Sequence, residues 1–353
     1  MKSSFSKNDT KIVKGIAILA MVFHHIYPNN PGIPVLQQNG FNLQLLFATT
    51  GKVCVVLLTI LSGYGITCSW KNNANEINIG LGRKIRRGLF FTIEHYIQLL
   101  SMYWAVLIFA YICEYVFNGT TIGAYGEGTE AKWHMFLDVF GLGSLSDGRI
   151  ILGGWYLTAI VFFYFLFPII YVAVKKLNFL AVILMYIPWI YYLVKKDYNM
   201  HTDWWLFYIF AFAMGVYLAE YSIIVKISQK LNNKKFLAVI ILIVAIVIRG
   251  FIALPADILV ACAIIIAELV IIGDDGGFGK ILGFLGANSA NIWLMHIYIS
   301  FLVNDSMARN YAGMVLIRVI ICLSISLFIE NVKTAVGYNT VIAKIRNNIR
   351  KLV

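Results

Sequence analysis

Charge is the scarcest property of this sequence: Asp, Glu, Lys and Arg make up 13% of its 353 residues, against 60% that are hydrophobic. A soluble domain carries about 25% charged residues, so a water-soluble globule is excluded. Prolines number only six, and no low-complexity run is present. Nothing therefore marks a linker, and residues 1–353 read as a single membrane domain. No period of the solenoid kind is visible. The five cysteines (Cys54, Cys68, Cys113, Cys262, Cys322) lie in apolar segments and lack C-x-x-C spacing. That pattern argues against disulfides and zinc, and for small buried hydrophobes. Also missing are a Walker A loop, G-x-G-x-x-G opening a helix, G-x-S-x-G and H-E-x-x-H. The glycine-rich stretch at 273–280 carries two acidic residues near its start, which repel phosphate. It reads as a loop.

What the sequence has is apolar stretches long enough to cross a bilayer. Spans are predicted near 12–28, 43–68, 89–117, 153–174, 179–194, 203–221, 236–250, 255–272, 287–303 and 311–332. The fold expected is all-α, a polytopic integral membrane protein with about ten transmembrane helices. The first span follows a basic start, as in a signal peptide. However, no cleavage site of the A-x-A kind follows, and His24-His25 interrupts the apolar core, so the segment is expected to stay. Lys and Arg set the orientation. With the amino terminus inside, one set of segments holds Lys2 to Lys14, Lys71, Arg83 to Arg87, Lys175, Lys176, Lys226 to Lys235, Lys280, Lys333 and the basic residues from Lys344 on. The opposite loops hold only Lys132, Arg149, Lys195, Lys196, Arg249 and Arg309. This bias predicts both termini in the cytoplasm and a multi-pass protein of the cell membrane. The net charge of +12 is then topology plus attraction to anionic headgroups, and no nucleic-acid partner is needed.

Titratable groups at membrane depth are costly and usually face a protein interior or a wet cavity. Here they are His25, Lys52, Glu94, His95, Glu268, His296, Arg318 and Glu330. Lys14 precedes His25 by eleven residues, which returns to nearly the same helix face about 16 Å along the axis. His24 points about 100° away. Lys14 and His25 read either as a snorkelling cation and an interhelical hydrogen bond, or as two working groups on one face. His296 sits near the middle of its span, as interhelical glue or as a site group. Lys52 either snorkels outward or holds an anion. Glu94-His95 reads as a proton relay or a mutual salt bridge, and Glu268, Arg318 and Glu330 as partners for one another. The run 83–87 is a topology signal or a landing site for phosphates. The loop 118–152 is the longest outer segment. Its Trp133, His134 and Asp138 fit an acceptor-shaping element or an interfacial helix equally.

Five segments, in order, carry a resemblance. They are KGIAILAMVFHH from Lys14 to His25, LSGYGI with Ser62, Gly63 and Tyr64, the basic run Arg83 to Arg87, GGWYLTAIVFFYFLFP from Gly153 to Pro168, and FLGANSANIWLMHI carrying His296. Together they resemble the membrane-bound acyltransferase 3 family across nearly the whole chain. Lys14 departs from that family's usual arginine, keeping the charge but losing the bidentate fork. The resemblance implies transfer of an acyl group, commonly acetyl from acetyl-CoA, to a hydroxyl of an extracytoplasmic acceptor such as a surface glycan sugar or a lipid-linked saccharide. It implies acyl-CoA as donor substrate, with no permanently bound cofactor and no metal. On this view Lys14, Arg83 and Arg86 hold CoA phosphates, and His25 acts as general base or nucleophile. Trp155, Tyr156 and Lys52 line the outer half of the path, and His296 orients the thioester carbonyl or stabilises its oxyanion. The readings of another class are a small-molecule transporter and a subunit that kept the fold without the chemistry.

Overall fold

A computed structural model describes residues 5–27, 30–38, 42–73, 81–120, 122–146, 149–151, 154–195, 204–231, 234–272, 276–299 and 310–351. Every regular element among them is helical. In order they are α1 Lys7–Ile26, α2 Leu43–Thr50, α3 Val53–Asn73, α4 Leu81–Asn118, α5 Gly128–Val139, α6 Gly154–Leu177, α7 Phe179–Met185 and α8 Ile187–Lys195. There follow α9 Ile209–Glu220, α10 Ile223–Lys230, α11 Lys235–Ile252, α12 Asp257–Ala267, α13 Gly277–Ala287, α14 Ser289–Met295, α15 Tyr311–Ala335 and α16 Tyr338–Lys351. In hydrocarbon a helix satisfies its own backbone, which is why apolar sequence of this length takes no other form here.

Among the described residues, six stretches are long and apolar enough to cross a membrane: Leu43–Asn72, Arg86–Asn118, Gly154–Leu177, Lys235–Ile252, Leu254–Ile272 and Tyr311–Ala335. Counting the bent pair Trp205–Glu220 and Ile223–Lys230 as one span makes seven. The expectation of about ten also counted 12–28, 179–194 and 287–303, and each differs for a local reason. Helix α1 forms, but Lys11, Lys14, His24 and His25 dilute its hydropathy. The second segment breaks at Tyr186 into α7 and α8. The third breaks at Asn288 into α13 and α14, and its residues 300–303 lie outside the described residues.

Local signals explain the start and end of α1. Ser6 caps it through a reciprocal box, Asp9 N–H donating to Ser6 Oγ at 3.1 Å and Ser6 N–H to Asp9 Oδ2 at 2.7 Å. At its far end Tyr27 is extended, as the residue before a proline prefers. Helix α13 packs against α1 backbone to backbone. A Cβ on Gly286 would collide with the Lys11 carbonyl, and one on Gly15 with that of Leu282, so glycine is required at both. Large apolar side chains point outward along whole helix faces: Ile108, Ile112 and Val116 on α4, Ile243 and Val247 on α11, Leu316, Ile320 and Phe328 on α15. Such a surface fits lipid and not water. Of the titratable groups, Glu94, Glu268, His296 and Arg318 lie inside.

Candidate functional site

Helix α1 is the axis of the site. Lys14 is half-buried and lines a cavity of about 110 Å³ with Ser62 of α3, Met102 and Tyr103 of α4, Tyr156 of α6, and Ser289 and Trp293 of α14. Eleven residues on, the exposed His25 ring lies 4.9 Å from that of His296, between centroids. Because Ser289 shares the cavity with Lys14 while His296 meets His25, α14 runs alongside α1 in the same direction. Trp293 joins the two places: it lines the cavity, and its carbonyl oxygen lies 2.6 Å from His296 Nδ1. The spacing of Lys14 and His25 on one face is thus matched by a second helix carrying polar groups at both levels.

The hydrogen-bond partners set the tautomers. A carbonyl oxygen only accepts, so His296 Nδ1 carries the proton toward Trp293. Its Nε2 is then an acceptor, buried and with no hydrogen-bond partner among the described residues. A neutral His296 therefore offers the site a lone pair, and only its imidazolium would offer a donor for an oxyanion. His24 donates Nδ1–H to the Ala48 carbonyl at 2.9 Å, which ties α1 to the last turn of α2. It occupies the neighbouring helix face and packs edge-on to His25 at 5.0 Å.

The remaining aromatic and cationic candidates flank this centre. Tyr156 packs edge-to-face on Trp293 at 4.9 Å, and its hydroxyl accepts from Thr59 Oγ1 at 3.4 Å. Trp155 lies 6.0 Å from the Tyr156 ring, and the Lys52 ammonium sits 5.2 Å over the Trp155 face, a cation–π contact. Lys52 occupies the break between α2 and α3. Arg86 is exposed and lies 5.6 Å from the Phe90 ring; it is not among the residues lining the Lys14 cavity. Arg83 falls in the first turn of α4, and its side chain lies outside the described residues.

Other polar groups take partners that the sequence does not announce. Arg249, counted as a loop cation, is fully buried. Its Nε donates to Asp257 at 3.0 Å, and Nη2 to the carbonyls of Thr49 at 2.8 Å and Pro31 at 3.2 Å. This clasp holds α2, whose Ala48 carbonyl receives His24. Its only sequence signal is a pair of opposite charges bracketing the Pro255 turn. Glu94 pairs with Arg346 at 2.8 Å and Arg350 at 2.5 Å, both on α16, and His95 bonds the Phe91 carbonyl. The expected Glu94-His95 pairing gives way because the basic face of α16 brings two charges where a neighbouring imidazole offers one. Glu330 goes to Lys333 at 2.7 Å and to Asn291 at 3.1 Å. In the segment 118–152, Asp138 accepts from Tyr103 at 2.5 Å and Tyr125 at 2.7 Å, and burial raises its carboxyl above the usual range. It anchors α5 to α4, while Trp133 stacks on Phe136 with both exposed. That arrangement matches an interfacial helix.

A helical bundle with a lipid-facing surface, a cation in a half-open cavity and two imidazoles beyond it defines a polytopic membrane protein with an internal polar site. A family model described as an acyltransferase domain matches residues 9–330. The chain belongs to this acyltransferase 3 family, and it is an acyltransferase with membrane-spanning helices. No curated protein and no solved structure matches the chain.

Proposed function

We propose that the protein is a transmembrane O-acyltransferase moving an acyl group, acetyl in the first instance, from cytoplasmic acyl-CoA to a hydroxyl of an extracytoplasmic acceptor such as a surface glycan sugar. The observation that carries this reading is the pairing of Lys14, lining a cavity walled by Tyr156 and Trp293, with the His25–His296 contact about 16 Å further along α1. The donor is polyanionic and stays inside; the acceptor lies outside. A cation at the inner mouth of α1 holds phosphate, and the cavity takes the thin pantetheine arm. The thioester then arrives near His25, whose imidazole takes the acceptor's proton or accepts the acyl group itself. Lys52 and Trp155 line the acceptor side, since aromatic faces suit sugar rings, and Tyr156, which neighbours Trp155 and walls the cavity, borders both. In this reading both termini face the cytoplasm, the protein sits in the cell membrane, and Arg83 and Arg86 add charge for CoA phosphates at the entrance. No bound cofactor takes part.

The test is thiol release from acetyl-CoA by the purified, detergent-solubilised protein, then transfer to hydroxyl acceptors. His25→Ala is expected to abolish turnover while leaving acetyl-CoA binding within about threefold. Lys14→Ala is expected to raise the donor KM about tenfold, equivalent to one charge-assisted contact of about 1.4 kcal/mol. Failure of acetyl-CoA and of longer acyl-CoAs alike would overturn the reading in favour of transport through the same cavity.

A further inference from the structure

Acyl transfer from a thioester builds negative charge on the carbonyl oxygen, and a fixed donor at that oxygen is usually the largest single contribution to rate. The donors around His25 are largely committed elsewhere, the Lys52 ammonium lying over the Trp155 face. His296 presents an acceptor nitrogen. The Nδ1–H of His24 is committed to the Ala48 carbonyl, and Arg249 is clamped through Nε and Nη2 by Asp257, Thr49 and Pro31, which fixes its remaining buried donor, Nη1, at the α2 clasp.

Arg318 on α15 is placed to fill the gap. Asn291 of α14 donates to Ser326 at 3.0 Å and to Glu330 at 3.1 Å, fixing α14 and α15 side by side. Tyr311, in the first turn of α15, packs on Tyr27 at 4.7 Å, at the end of α1 where His25 meets His296, so α14 and α15 run antiparallel. Five residues beyond Asn291, His296 therefore comes level with the turns of α15 before Ser326, and Arg318 is an electrostatic neighbour of His296. Arg318 is 9% exposed, and its Nε has no hydrogen-bond partner among the described residues. A structural cation at this depth pairs with a carboxylate or with backbone carbonyls, and the Arg318 Nε meets neither among the described residues. Glu330, on the same helix, is taken by Lys333. Two buried atoms of opposite polarity, a donor on Arg318 and an acceptor on His296, are thus without a hydrogen-bond partner among the described residues, and the His296 ring touches that of His25.

We propose that Arg318 is a catalytic residue whose guanidinium meets the oxyanion of the tetrahedral intermediate; this rests on the acyl-transfer reading above. As the acceptor oxygen bonds to the carbonyl carbon, its proton passes to an imidazole and the carbonyl electron pair moves onto oxygen. The C–S bond then breaks, and the CoA thiolate takes the proton back, leaving an ester and a free thiol. If His25 attacks first as nucleophile, the same oxyanion forms, so the role of Arg318 is common to both routes.

The experiment measures thiol release from acetyl-CoA, together with acetyl-CoA binding by calorimetry, for wild type, Arg318→Met and Arg318→Lys. Arg318→Met is expected to lower kcat about 10²–10³-fold with donor Kd unchanged within twofold, and Arg318→Lys to fall between it and wild type. Wild-type kcat in Arg318→Met, or loss of activity in step with loss of acetyl-CoA binding, would overturn the catalytic role alone. If the methionine variant does not assemble, Arg318→Lys decides: a partial fall in kcat at constant Kd supports the role, and an unchanged kcat overturns it. A wild-type protein that turns over no acyl-CoA overturns the acyl-transfer reading itself.

Discussion

The two ends of the bundle use ion pairs in opposite ways. Near His25, Arg249 and Asp257 have side chains 0% and 3% exposed, and the guanidinium Nη2 donates to two backbone carbonyls. At the far end of α3, Glu220 is shared by Lys71 at 3.5 Å and Lys175 at 3.9 Å, with the lysine side chains 41% and 56% exposed. The first pair is sealed from solvent and screening ions, so losing one partner strands a charge. The second is screened, and its lysines pay side-chain entropy to stay in place. Rigidity is therefore concentrated where His24, Lys52 and the α2 carbonyls define the surroundings of His25, and the Glu220 pairs add little at the opposite end.

Breaking the sealed pair should have the largest effect. Arg249→Met is expected to destabilise the fold by about 3–5 kcal/mol, read as a shift in thermal or SDS unfolding of the purified protein. The double variant Arg249→Met/Asp257→Leu should recover much of that loss, because no charge is left stranded. A double variant no more stable than the single would show that the contacts to Thr49 and Pro31 matter more than the ion pair.

Next comes the α1–α13 contact. Gly286→Ala forces backbones apart and should cost about 1–3 kcal/mol, as overpacking does. Donor KM should rise as well, because α13 bears on the Lys14 turn. Glu94→Gln is expected to cost about 1–2 kcal/mol and to appear chiefly as faster proteolysis of α16, since the two arginines hold that helix. Lys71→Ala should lie within about 0.5 kcal/mol of wild type. A larger loss would place the far end in the same class as the sealed one.

Much of this architecture was legible in the sequence. Hydropathy located the long apolar helices but not the basic α10 and α16, and the eleven-residue spacing put Lys14 and His25 on one face. The motif order led to the family that the match over residues 9–330 shows. Span counting was least secure where function or a break lowers hydropathy, in α1 and at Tyr186 and Asn288. The Arg249–Asp257 clasp was hidden because a charge at the end of a short apolar helix looks the same whether it meets water or a buried carboxylate. The partners of Glu94 lie 252 and 256 residues away, beyond any local pattern.

The sequence by itself determined the helical class, the membrane setting and the polar residues of α1, because hydropathy and helical period are properties of neighbouring residues. Tertiary structure alone decided which groups meet. It brought His296 to His25, turned the His296 lone pair toward the site through the Trp293 carbonyl, and buried Arg249 against Asp257. Each of these depends on which helix lies beside which, and that is set by the packing of distant segments.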